Sequence, residues 1–186
     1  APPFLPISDN KIIYNRRPYR PETDIGIDSR TMVGIAHKSN SMEKNITRDC
    51  MIHPTAIISE KARLGSNVSI GAYTIVHENV LIGDDTEIGS HCEIGIPSSL
   101  SDGSALIIGK SSLIRSHSVF YAGSVFGDNL TTGHRVTVRE RTEAGQAFQI
   151  GTLSDIQGHC KIGDYVKLHS NVHIGQHSTV GNYVWI

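Results

Sequence analysis

The sequence predicts an all-β solenoid, a parallel β-helix built from six-residue repeats, on three observations. From Ile52 onward a large apolar residue recurs every sixth position. The residue after it is Gly in thirteen of twenty-one repeats. The fifth residue of the repeat is mostly small or β-branched. Internal periodicity of this length marks stacked structural units rather than a single knot of core.

The repeat starts are Ile52, Ile58, Leu64, Ile70, Val76, Ile82, Ile88 and Ile94. They resume after a break at Ile108, Ile114, Phe120, Phe126, Thr132, Val138, Ala144, Ile150, Ile156, Ile162, Leu168, Ile174 and Val180. Only Thr132 among them is polar. Each hexad reads as a short strand plus a sharp corner. The large residue points into a narrow core, and Gly at the corner lets coils stack closely. Three hexads close a coil of 18 residues, and successive coils pair as parallel strands about 4.8 Å apart. Leu130 and Phe148 depart from the small fifth position.

Two domains of organisation follow. Residues 1–51 show no period and carry Pro2, Pro3, Pro6, Pro18 and Pro21 with a basic knot at Arg16, Arg17 and Arg20, so they read as an extended arm or small extra element. Residues 52–186 form the solenoid, with an inserted loop near 96–107. Composition agrees: charged residues are 19%, aromatics 6%, and there are 18 glycines. A net charge of −1 with mixed signs argues against nucleic acid or an anionic membrane as partner. No apolar run approaches the roughly 20 residues of a membrane span. Cys50, Cys92 and Cys160 show neither disulfide nor zinc spacing, which suits a cytoplasmic setting.

Ile82-Gly83-Asp84-Asp85-Thr86-Glu87 and Ile162-Gly163-Asp164-Tyr165-Val166-Lys167 carry the signature of the hexapeptide-repeat acyltransferases, which the run from Ile52 to Ile186 resembles. The resemblance implies a left-handed parallel β-helix, acetyl-CoA or another acyl-CoA as co-substrate, a homotrimer, and no metal. The stretch Ile94-Gly95-Ile96-Pro97, then Ser98 to Ala105, then Leu106-Ile107-Ile108-Gly109 is similar in layout to the UDP-N-acetylglucosamine O-acyltransferases. There the loop after the Pro carries nucleotide-sugar contacts, and the matching positions are Ser98 and Ser99. Nucleotide-sugar N-acetyltransferases are also similar. The resemblance therefore implies acyl transfer to an amino or hydroxyl group of a sugar or nucleotide-sugar.

Only one of the ten histidines, His134, stands at the third position of a hexad, where side chains leave the coil and where related sugar acyltransferases hold their catalytic His. A neutral imidazole suits removal of a proton from an attacking amine or hydroxyl. The oxyanion needs a preorganised donor, and the position one coil on, Thr152, offers its backbone N–H. Glu140 or Glu143 could orient the imidazole, and the sequence does not choose between them. The bland alternative is a surface histidine. His159 and His177, 18 residues apart, read as a solvated ladder with Arg141, or as contacts to a cofactor or substrate. Tyr165 and Tyr183 have the same spacing and read as an outward stack or subunit contact. His169, His173 and His177 raise a second class, a gamma-class carbonic anhydrase-like zinc protein, although they occupy different hexad positions. A non-catalytic β-helix scaffold is a third.

Overall fold

A computed structural model describes residues 49–186; the predicted arm lies outside the described residues except for its last three. The described residues contain no helix. Twenty-one strands, most of two residues, form three parallel sheets of seven strands each. The first sheet runs from Met51–Ile52 to Lys167–Leu168, the second from Ile57–Ile58 to His173–Ile174, and the third from Arg63–Leu64 to Thr179–Val180. Each coil contributes one strand to every sheet, and pairing steps by eighteen residues, as in Ile52 with Ile70 and Ile150 with Leu168, except across the inserted loop, where Ile88 pairs with Ile114. The molecule is the left-handed parallel β-helix that the repeat and its resemblance imply.

From Asn67 onward nearly every hexad owes its corner to its fourth residue; Pro97, where the inserted loop begins, is the exception. These residues hold φ between +52° and +63° in positions such as Asn67, His91, Asn129 and Tyr183. L-residues enter this region reluctantly, and Asn, Asp and His, which tolerate it best, recur there. The apolar first residues line the core, with Ile94, Ile108, Ile114 and Ile162 fully buried. The two large fifth-position residues are buried as well, and Phe148 shares its hexad with the small opener Ala144, which keeps the core volume roughly level. Phe120 and Phe126 meet edge to face at 5.4 Å.

Small fifth residues do more than fit. Ser112, Ser118, Ser124 and Ser154 each accept a backbone N–H from the next coil, and each hydroxyl donates to a corner carbonyl. Corner amides that would otherwise be orphaned inside the prism are thereby paired. No buried side-chain polar atom among the described residues lacks a partner.

The inserted loop occupies residues 97–105, shorter than the 96–107 expected. Ile96 still ends the strand Glu93–Ile96, and Leu106 already opens Leu106–Ile108. The loop projects from the corner between the second and third sheets. Burial pushes the thiols of Cys92 and Cys160 above their ordinary range, and all three cysteines are unpaired.

Candidate active site

The prism has three corners. His134 stands on the first, between the first and second sheets, with its side chain exposed. Thr152 lies one coil above, as its spacing predicts. The His134 N–H donates to Thr152 Oγ1 at 3.2 Å, and the His134 carbonyl accepts the Leu153 N–H at 2.9 Å. Among the described residues no acceptor takes the Thr152 N–H. That amide sits on the coil stacked directly against His134. Gly133 makes this possible. A Cβ there would fall 2.3 Å from Thr152 N and 2.4 Å from Thr152 Oγ1, so any larger residue would push the two coils apart.

The polar opener Thr132 now has a physical account. It is buried, and its hydroxyl accepts the Arg115 N–H at 3.0 Å. Elsewhere on this sheet the second-position N–H bonds a strand carbonyl of the next coil, as Gly89 does to Ile114 and Gly133 to Ile150. Beneath His134 a side chain replaces that rung, and the two strands register at Leu113 with Thr131 alone.

The other predicted site residues are not brought to this corner. Glu140 stands at the second corner, because six residues carry the chain one corner further round. Its side chain is 2% exposed, and both oxygens are taken by Arg139 at 3.1 Å. Desolvation pushes its pKa up, the Arg139 hydrogen bonds pull it down, and the net result lies below the ordinary carboxylate value. Arg139 also packs over the Tyr121 ring at 4.6 Å. Glu143 lies on the third sheet, exposed, in register with Lys161. Within this chain neither carboxylate stands at the His134 corner: a hexad step turns the chain to a new face, which sequence proximity does not reveal.

Ser98 and Ser99 belong to the inserted loop at the second corner. Ser98 Oγ accepts the Leu100 N–H, and its carbonyl accepts from the Ser101 hydroxyl at 2.7 Å. Ser99 is exposed. The loop is pinned by three contacts that sequence reasoning missed. Asn79 Nδ2 donates to the Gly103 carbonyl at 2.6 Å, Arg141 Nε donates to the Leu100 carbonyl at 2.7 Å, and Arg141 pairs with Asp102. Asn79 and Arg141 are both fourth-position residues of this corner, which is the signal that could have found them. A cleft of about 510 Å³ opens under the loop, lined among others by Lys61, Arg63, Asn79, Pro97, Ser101 and Ser104.

His159 and His177 stack at 4.8 Å, and Tyr165 and Tyr183 at 5.1 Å, as their spacing predicts. Arg141 is turned to the loop rather than continuing the histidine ladder. His169 lies at the first corner, His173 on the second sheet beside Asp155, and His177 at the second corner. One chain therefore does not converge them, and no group of three potential ligands among the described residues could hold a metal.

Comparison with known proteins gives the same architecture. No curated protein matches the chain. A Bacillus cereus structure described as an acetyltransferase shares the fold at 16% identity and TM-score 0.51, over 74% of this chain and 77% of its own. The UDP-N-acetylglucosamine acyltransferase of Francisella novicida aligns at 25% identity and TM-score 0.49, over 75% of this chain. This chain covers 59% of that enzyme's length. A variant of perosamine N-acetyltransferase from Caulobacter crescentus, solved with CoA and GDP-perosamine, aligns at 18% identity and TM-score 0.39, over 68% of this chain and 50% of its own. The family described as the GMPPB C-terminal domain matches residues 46–144. With more than half of its length in that match, and the hexapeptide-repeat β-helix beneath it, the chain belongs to the GMPPB C-terminal domain family.

Proposed function

We propose that the protein is an acyltransferase that moves an acyl group from an acyl-CoA, of the acetyl-CoA type, to an amino or hydroxyl group of a sugar or nucleotide-sugar. The observation that carries this reading is an exposed imidazole, His134, stacked one coil from Thr152, whose backbone N–H has no acceptor among the described residues. His134 takes the proton of the acceptor as its nitrogen or oxygen attacks the thioester carbonyl. The Thr152 N–H holds the oxygen that becomes negative. Collapse of the adduct expels the CoA thiolate and leaves the acylated sugar. Flat sheet faces suit side-by-side packing of three prisms, so the working unit under this proposal is a homotrimer with sites at the clefts between subunits.

Turnover of acyl-CoAs with nucleotide-linked amino sugars, followed by thiol release, tests the reading. His134→Ala should lower turnover by roughly 10²- to 10⁴-fold, the usual span for a general base, with little change in melting because the side chain is exposed. His159→Ala, at another corner, should do much less. Near-normal turnover of His134→Ala would remove the assignment. A second reading, a non-catalytic β-helix module, is favoured by the family match, whose description denotes one domain of a protein. Absence of any thioester-dependent turnover in the wild type would support it.

A further inference from the structure

Acidic residues are segregated among the corners. The third corner carries Asp84, Asp128 and Asp164 at third positions, where they accept backbone N–H groups of Ser66, Lys110 and Gln146. The second carries Glu60, Glu78 and Glu140. The first corner has no carboxylate at the third or fourth position of any of its seven coils. Around His134 it presents cations instead. Arg115 interrupts a column of glycines, Gly71, Gly89, Gly133 and Gly151, and lies one coil below Gly133. Arg135 follows His134 directly, one coil above His117. Both arginines are exposed and neither makes an ion pair among the described residues. The rings of Tyr73, His91 and His117 stack below them at 5.1 and 5.0 Å. The strands that flank this corner carry the acids Glu87, Glu93 and Asp155, on other coils, and Glu93 and Asp155 are engaged by His77 and His173.

We infer that Arg115 and Arg135 form a phosphate-binding edge at the His134 corner and hold a diphosphate carried by a substrate. A guanidinium offers a planar fork of donors matched to phosphate oxygens, and two forks on adjacent coils suit two linked phosphates. The absence of carboxylates from this corner removes both internal pairing and repulsion of the ligand. The catalytic meaning of the edge rests on the proposed role of His134; its binding does not, and can be measured separately.

The experiment is calorimetric titration of the full chain, at low ionic strength, with inorganic pyrophosphate, UDP and CoA. The variants are Arg115→Gly, which restores the column residue, and Arg135→Asn, which suits a positive φ. Lys161→Gln, exposed on the third sheet, is the control. Each arginine variant should weaken pyrophosphate binding by roughly tenfold or more, the loss expected for a charge-assisted contact, with unchanged melting; Lys161→Gln should bind as the wild type does. A parallel loss for UDP places the diphosphate on the acceptor, and a loss confined to CoA places it on the donor. Wild-type affinity in both arginine variants, or no pyrophosphate binding by the wild type, overturns the inference. A harmless His134→Ala with pyrophosphate binding intact would instead remove the general base and leave the phosphate edge standing.

Discussion

Gly133→Ala is the sharpest test of the coil contact at the candidate site. The added methyl would lie 2.3 Å from Thr152 N, 2.4 Å from Thr152 Oγ1 and 2.6 Å from Thr152 Cα. Backbone atoms cannot rotate away as a flexible side chain can, so the two coils must part locally by about an ångström to reach ordinary contact. Three hydrogen bonds span that gap: Gly133 N–H to Ile150 O at 2.6 Å, His134 N–H to Thr152 Oγ1 at 3.2 Å, and Leu153 N–H to His134 O at 2.9 Å. At about 1 kcal/mol each, their loss costs about 3 kcal/mol. The same separation moves the Thr152 donor away from His134, so turnover should fall along with stability. The control is Gly181→Ala, also at a second position but with nothing within 4 Å of the added atom; it should stay within about 0.5 kcal/mol of wild type. Chemical denaturation of the two variants side by side reads the difference. Equal midpoints for both would refute the claim that close coil approach, rather than a general need for glycine, explains Gly133.

Other consequences follow from the same structure. Ile162→Asp would bury an unpaired carboxylate in a fully closed core, at a cost of several kcal/mol; ordinary expression and unchanged melting would contradict the hexad register. Arg139→Met would leave the Glu140 carboxylate buried without its partner and destabilise the protein by about 3 kcal/mol at neutral pH. Because Glu140 is held below its ordinary pKa, its share of stability is present above the unfolded value, about 4.3, and is lost as pH falls through the folded value. In Arg139→Met desolvation dominates and the carboxyl titrates high, so the variant gains relative to wild type on acidification. Urea midpoints measured across pH 4 to 8 should therefore converge at the acid end, and a constant gap would count against the pairing.

The sequence determined the solenoid. Every predicted repeat start from Ile52 to Val180 is the second residue of an observed strand, or the third in strands such as Val80–Ile82, because a six-residue period admits only one way of burying its large residue. Spacing by eighteen also predicted the stacks of His159 on His177 and Tyr165 on Tyr183, and the place of Thr152 above His134, since side chains one coil apart must coincide. Tertiary structure decided what arithmetic could not reach. The inserted loop breaks the eighteen-residue count, so His91 and His117, 26 residues apart in sequence, stack through a register that only the folded coils reveal. The corner on which a residue falls decided that Glu140 serves Arg139 and not His134. The side chains that pin the loop, Asn79 and Arg141, come from coils before and after it. The segregation of carboxylates away from the His134 corner is likewise a property of three faces wound from one chain. A linear pattern fixes which residues turn inward; which outward side chains meet depends on the winding, and the candidate chemistry lies among those outward groups.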